Sequence, residues 1–342
     1  RGKVDGVTPV AWAPSALPGE RHHVMPRAMS GRLIKEVVEG YGVAAARLTA
    51  AGLDGVEILA SHGYLLSQFL SPRINQRLDE YGGTLQNRLR MIREIITCIR
   101  SYIGDRVLGI RLSAEAMVPD GATGEEMLEV CQQLESDRDL TYFSFVLGSA
   151  STLGGSTHIV PPMEMPSDYA MPAITKLSSA LSLPVIVTGR INQPQTAERI
   201  LCAKEADLCG MTRALIADPD MPAKAITGAS DKIRVCIACN QACTGHGLLG
   251  LPISCIQYPE SGRERTLGVK TRAKNRRRVV IAGGGPAGLK AGAVAAERGH
   301  TVTLYEKTRR VGGQALLAQL LPSRLEFGGL IDNLHRECLQ AG

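Results

Sequence analysis

Between about residues 30 and 225 the chain alternates amphipathic stretches of helical period with short, almost wholly apolar runs that stop at a glycine, a serine or a charged residue. The apolar runs predict strands over 55–59, 107–112, 142–147, 184–188 and 207–211, and the amphipathic stretches predict helices over 34–51, 86–103 and 124–135. Strands that are apolar on both faces and recur with helices belong to a parallel sheet covered on both sides. Five such strands are visible where a closed (β/α)8 barrel needs eight, and the chain opens on Arg1. The expected fold is therefore an incomplete (β/α)8 TIM barrel whose beginning is missing. Residues 1–30 are proline-rich and read as loop.

A second break in composition falls at 222–231. A cluster of cysteines and a basic run follow, and then a fresh apolar strand is predicted over 278–282. This divides the chain into 1–228, the C-terminal part of the barrel; 229–275, a cysteine segment with a basic linker; and 276–342, the start of another domain. No repeat of fixed period is evident.

At 342 residues, with 44% apolar and 21% charged positions and 37 glycines, the chain has the composition of an ordinary soluble α/β protein with room for two domains. Much of its net charge of +6 comes from the run 270–278. That run lacks interleaved aromatic residues, so it reads as a solvated linker, and nucleic acid is not an expected partner. There is no apolar run of membrane-spanning length and no signal-peptide layout, so no membrane partner is expected and a cytoplasmic location is. Nine cysteines in a reducing compartment then need a reason other than disulfides.

Four of the nine, Cys236, Cys239, Cys243 and Cys255, lie within CIACNQACTGHGLLGLPISC, separated by two, three and eleven residues. Three close thiolates and one remote thiolate suit a cubane iron–sulfur cluster, in which each iron takes one sulfur ligand. Structural zinc and unrelated buried thiols are the alternatives, although zinc ribbons usually present two separated Cys-x-x-Cys knuckles. Cys98, Cys131, Cys202, Cys209 and Cys338 read as small buried apolar residues.

The run RRRVVIAGGGPAGLKAGAVAAERGHTVTLYEK is a strand, a GxGxxG turn, a helix and a second strand ending in an acid. Gly283, Gly285 and Gly288 let the backbone approach a pyrophosphate at a helix N-terminus, and Glu306 is placed to accept from a ribose hydroxyl. Gly313 and Gln314 either extend that cradle or form a plain turn. This is the start of a Rossmann-like FAD/NAD(P)-binding domain.

After the strand GVEIL come Ala60 to Tyr64 and then LLSQFLSPRINQRLDEYGGTLQNRLR. Here the chain resembles the Old Yellow Enzyme class of flavin oxidoreductases. The four cysteines and the dinucleotide motif narrow the resemblance to the iron–sulfur subgroup that includes 2,4-dienoyl-CoA reductase and trimethylamine dehydrogenase. It covers nearly the whole chain, with the parts in the family's order, and favours the iron–sulfur reading of the cysteines. It implies FMN in the barrel, a [4Fe-4S] cluster beside it, and FAD, or ADP alone, in the second domain.

Carried over by residue, Arg111 in GIRLS matches the arginine facing the flavin pyrimidine, where a cation stabilises the reduced ring. The alternative is an arginine that merely ion-pairs. Gly189 and Arg190 in VTGRI, with Gly210, Thr212 and Arg213 in GMTRA, match the loops that bind the FMN phosphate, unless they are ordinary barrel turns. Tyr64 matches the tyrosine that protonates a substrate carbon, or else is a packed phenol. His62 falls where relatives bind the substrate carbonyl. The second histidine of two-donor relatives is replaced by Leu59, which leaves a two-point grip on a carbonyl oxygen without one donor. His158 matches, loosely, a histidine that assists protonation, or is a surface loop residue.

The activity implied is an NAD(P)H-dependent flavin oxidoreductase. FMN-dependent hydride transfer would reduce an activated C=C bond in an enoyl or dienoyl thioester or an enone, with electrons passing through the cluster to or from the FAD/NAD(P)H domain. One alternative is a demethylating dehydrogenase of amines or betaines that passes electrons to an acceptor protein, which Leu59 favours. Another is a non-catalytic truncated remnant. The expected partners are a small-molecule substrate and a nicotinamide dinucleotide or an electron-transfer protein.

Overall fold

The computed structural model describes residues 10–20, 24–268 and 271–342. The remainder of the N-terminal loop reading and Lys270 of the basic run lie outside the described residues. The chain divides into two compact units. The first takes residues 1–159, 168–189 and 199–210, and the second takes 160–167, 190–198 and 211–342.

In the first unit the segment before residue 30 is not all loop. Strand β1 (Trp12–Ala13) pairs in parallel with β2 (Arg27–Ala28). Arg77 holds this segment, donating to the carbonyls of Pro14 at 2.9 Å and Met29 at 2.7 Å. The main sheet runs in chain order through β3 (Gly55–Ala60), β4 (Val107–Glu115), β5 (Tyr142–Leu147), β6 (Val185–Thr188) and β7 (Leu208–Gly210), every pair parallel. Sequential order with a helical connection after each strand is the wall of a (β/α)8 barrel. All five predicted strands are present with ends shifted by no more than three residues. β6 begins one residue later than expected because Pro184 has no N–H to give the ladder, although its carbonyl accepts from Phe143.

The helix Gly31–Ala50 starts three residues before the expected 34, because the Ser30 side chain caps it by accepting from the Leu33 amide at 3.2 Å. It packs on Leu85–Ile103, whose apolar stripe Leu89, Ile92, Ile96 and Ile99 is at most 3% exposed. Gly42 permits the close approach, since a Cβ there would lie 2.6 Å from both Cys98 Sγ and the Tyr102 ring.

The loop between Leu70 and Leu85 is shaped from inside by two buried polar residues. Asn75 donates to the carbonyls of Phe69 and Tyr81, both at 2.7 Å. Arg88 donates to those of Leu70 at 2.8 Å and Gly83 at 3.0 Å and pairs with Glu126. Their polar groups are thus satisfied without water.

In the second unit β8 (Arg278–Ala282) and β9 (Thr301–Tyr305) pair in parallel around the helix Pro286–Glu297. This is the strand–turn–helix–strand order the glycine motif predicts. Leu289, Leu330 and Leu334 share a buried core with Met163 and Ile237. Among the scattered cysteines Cys131 is buried, but Cys202 is exposed, which corrects its expected burial. No helix among the described residues is long and apolar enough to cross a membrane.

Candidate functional site

At the C-terminal ends of β3, β4 and β5 the backbone is drawn together around His62. Its amide donates to Ser113 Oγ at 3.2 Å, Ser113 Oγ donates to the Gly148 carbonyl at 2.8 Å, and the Ala150 amide donates to the His62 carbonyl at 3.0 Å. His62 holds a left-handed backbone, φ 61°, a strained choice that the three cross-strand links enforce. Gly63 follows at φ 75°, where a Cβ would lie 2.8 Å from Ser149 Oγ and 2.9 Å from the Ala150 amide, so only glycine fits.

The imidazole Nδ1 lies 2.9 Å from Ser61 Oγ. Burial and the neighbouring Arg111 cation hold its pKa down to about 4, so His62 is neutral at physiological pH. Tyr64 stands edge-on to it with ring centroids 6.1 Å apart and is 55% exposed, so it is not a packed core phenol.

Arg111 does ion-pair, Nε to Glu57 Oε1 at 2.8 Å, and the other Glu57 oxygen accepts from Tyr142 Oη at 3.1 Å. Burial and Glu57 push the Tyr142 phenol up to about 12. His158 is on the helix Leu153–Ile159. Its carbonyl accepts from Tyr169 at 2.6 Å, its ring lies 6.0 Å from the Tyr169 ring, and its Nδ1 is buried without a hydrogen-bond partner. Beside His62, a pocket is lined by Ala60, Gly63, Ser113, Ser149 and Ser151 together with Arg73.

Of the residues assigned to phosphate, Gly189 and Gly210 belong to the first unit. A Cβ on Gly210 would lie 2.1 Å from Thr188 Oγ1, a buried hydroxyl with no partner, and one on Gly189 would lie 2.5 Å from Ala170 Cβ. An unpartnered hydroxyl at a strand end flanked by side-chain-free backbone fits an anionic cofactor group. Arg190, Thr212 and Arg213 belong to the second unit. Arg190 has φ 54°, is only 3% exposed in its side chain and pairs with Glu326, while its Nε lacks a hydrogen-bond partner.

The four predicted cysteine ligands come together in the second unit. Cys236, Cys239, Cys243 and Cys255 all line one pocket with Arg213, Asn240 and Gln257. Burial pushes the Cys239 thiol up to about 11 and raises Cys236 and Cys255 as well. Backbone amides of Ala238, Gln241, Gln257 and Tyr258 act against that rise. Among the described residues no group of three or more His, Cys, Asp or Glu side chains is already drawn together as metal ligands. Four cysteines lining one pocket offer the donor set that a cubane takes, one sulfur per iron.

The segment is held firmly. Asn192 donates to the Cys236 carbonyl at 2.6 Å and Gln257 to the Val235 carbonyl at 2.8 Å. Arg234 stacks 4.3 Å over Tyr258 and pairs with Glu337 at 2.9 Å.

In the dinucleotide motif, Gly283 has φ 107° and Gly285 caps the helix Pro286–Glu297. Gly288 permits the strand–helix contact, since a Cβ there would lie 2.0 Å from the Gly283 carbonyl oxygen. Glu306 accepts from the Gly284 amide at 2.8 Å and the Thr308 amide at 2.9 Å, and these bonds lower its pKa. Gly313, at φ 53°, puts its Cα 3.9 Å from the Cβ position of Gly285, and Gln314 precedes the short helix Ala315–Ala318. Sequence reasoning missed Glu57, Ser113, Asn240 and Glu326. Asn240 alone had a local signal, an Asn set between two cysteines.

A parallel barrel wall whose strand ends carry polar groups, joined in one chain to a strand–glycine turn–helix, is the design of a flavin-dependent oxidoreductase. The chain belongs to the NADH:flavin oxidoreductase / NADH oxidase family, whose profile matches residues 5–232, and residues 281–330 match the NAD(P)-binding Rossmann-like domain. It is 39% identical over 336 residues to a metal reductase of Desulforamulus reducens, covering 97% of this chain and 49% of that protein. It is 34% identical over 336 residues to N,N-dimethylglycine/sarcosine dehydrogenase of Chromohalobacter salexigens, covering 96% and 48%. Among solved structures, 2-naphthoyl-CoA reductase in complex with 2-naphthoyl-CoA superposes with a TM-score of 0.92 at 30% identity, covering 98% of this chain and 51% of that one. The chain thus spans about half the length of the curated relatives it matches.

Proposed function

We propose that this chain is the flavin- and cluster-bearing part of an iron–sulfur flavoprotein that reduces an activated C=C bond, in an enoyl or dienoyl thioester or an enone, at the expense of NAD(P)H. The observation that carries the reading is the gathering of four cysteines around one pocket in a chain whose barrel matches a flavin family.

Cys236, Cys239, Cys243 and Cys255 would hold a [4Fe-4S] cluster, which supplies single-electron transfer. In the first unit Arg111, Gly189 and Gly210 are assigned to FMN, which supplies hydride transfer. In the second unit Arg190, Thr212 and Arg213 are assigned to a phosphate group. Gly283, Gly285, Gly288, Glu306, Gly313 and Gln314 are assigned to FAD, or to ADP. On the substrate side, neutral His62 offers a hydrogen bond without adding charge, and Ser61 Oγ at 2.9 Å orients its ring. Tyr64 is exposed enough to meet a substrate and holds the proton to be delivered to carbon. His158, with a buried and unpartnered Nδ1, would assist that protonation.

Anaerobic reduction of the full-length protein by NADH and by NADPH, followed in visible absorbance, tests this. Bleaching by the nicotinamide and reoxidation by an enoyl thioester is the expected result. A second reading, oxidative demethylation of an amine or betaine, is favoured by Leu59, a 39% exposed apolar residue where two-donor relatives have a histidine. Bleaching by a methylated amine, with no reoxidation by the alkene, would replace the first reading with the second.

A further inference from the structure

The cysteine pocket is not walled by sulfur and apolar groups alone. Arg213, in the short helix Thr212–Ala217, lines it alongside all four cysteines. Its Nη1 donates to the Pro161 carbonyl at 2.8 Å and to Asn240 Oδ1 at 2.7 Å, and Asn240 Nδ2 donates to the Val160 carbonyl at 2.9 Å. Asn240 lies between Cys239 and Cys243 and holds a left-handed backbone, φ 56°, a conformation asparagine tolerates. The cysteine loop therefore supplies the group that aims the guanidinium.

A cubane on four thiolates is anionic, and reduction adds one more negative charge. A cation fixed beside it, where burial weakens solvent screening, stabilises the reduced form more than the oxidised form. The resemblance assigns Arg213 to a phosphate; its surroundings give it a further task. We propose that Arg213 sets the reduction potential of the cluster held by Cys236, Cys239, Cys243 and Cys255, with Asn240 as the residue that positions its guanidinium. The proposal rests on the iron–sulfur reading above.

The test is an anaerobic dithionite titration of the full-length protein followed by electron paramagnetic resonance, after iron and acid-labile sulfide have been measured. Wild-type protein that lacks both would sink the iron–sulfur reading itself, and the proposal with it. Arg213→Gln is expected to shift the reduction equilibrium about tenfold against the reduced cluster, 59 mV for a one-electron couple. Arg213→Lys, which keeps the charge, should shift it less. Asn240→Asp, which pairs the guanidinium with a carboxylate, should shift it in the same direction as Arg213→Gln and decides the matter if Arg213→Gln does not load. An unchanged potential in a loaded Arg213→Gln protein, even with weakened FMN binding, overturns the proposal, as does an Arg213→Lys shift equal to that of Arg213→Gln. Failure of both Arg213→Gln and Asn240→Asp to take up iron also overturns it, because the cation would then serve assembly and not potential.

Discussion

Gly288 and Gly285 both belong to the GxGxxG turn, yet the structure gives them different tasks that substitution by alanine separates. At Gly288 a Cβ would stand 2.0 Å from the Gly283 carbonyl oxygen and 3.3 Å from Ile281 Cγ2. Real Cβ contacts essentially never fall below 3.0 Å, so β8 and the helix Pro286–Glu297 must part by at least the difference, 1.0 Å. Ile281 is in β8, and the Gly283 carbonyl is in the turn that ties β8 directly to the helix, so overpacking costs about 3 kcal/mol, the upper part of the usual range. The better helix propensity of alanine returns about 1 kcal/mol. A net loss of about 2 kcal/mol corresponds to a fall in Tm of roughly 4–8 °C.

At Gly285 the nearest atom to a new Cβ is Gly313 Cα at 3.9 Å, and its φ of −73° suits any residue. Gly285→Ala should therefore melt with the wild type. It should nevertheless lose ADP affinity by about tenfold, roughly 1.4 kcal/mol, because the methyl group stands where a pyrophosphate must approach the helix N-terminus. Thermal melting and isothermal titration with ADP give both readings. Equal melting of the two variants, or a Gly288→Ala protein as stable as the wild type, would refute the argument.

Asp218 is fully buried, with Lys224 at 2.6 Å and the Arg234 amide at 2.9 Å. Asp218→Ala strands that lysine and should cost about 3–5 kcal/mol in a urea titration, with Asp218→Asn costing less; a loss under about 1 kcal/mol would contradict the assignment. His62 has an unfolded pKa of 6.5 and a folded value of about 4, so between those limits the unfolded chain binds more protons. Its contribution is full above pH 6.5 and declines as the pH falls towards 4, and His62→Gln should remove that part of the pH dependence in chemical denaturation. Anaerobically purified protein should hold iron and sulfide in equal amounts, and Cys239→Ser should lower both; zinc in their place would mean that the pocket serves a single metal ion.

The barrel strands were legible because each run is almost wholly apolar, the pattern of a parallel strand covered on both faces. The glycine motif was legible because its spacing is dictated by steric contacts that Gly283 and Gly288 show directly. Clamps that join distant parts of the chain leave no such trace. Arg77 reaches back 63 residues to Pro14 and 48 to Met29, and it holds two short strands that proline content alone reads as loop. Glu326 pairs with Arg190 from 136 residues away, and nothing around either residue announces it. Cys202 shows the opposite failure: a small apolar residue in a helix reads as buried, but which side of the helix meets the sheet decides the matter.

The cysteine segment shows why spacing alone was a partial guide. Three of its four thiols are pushed up by burial, and they are buried because the segment shares a core with the nucleotide-binding part: Ile237 packs with Leu289, Leu330 and Leu334. Polar links follow the same path. Gln257, next but one after Cys255, accepts from Asn333 at 2.8 Å, and Glu337 pairs with both Lys290 at 3.0 Å and Arg234, which leads into Cys236, at 2.9 Å. These partners are at most 16% exposed, so the links act at low effective dielectric and resist salt. The pocket geometry is therefore a property of the cysteine loop and of the helices Pro286–Glu297 and Phe327–Ala341 together. A short loop with the same four cysteines would lack the burial that shapes the pocket and the charges that hold it in place.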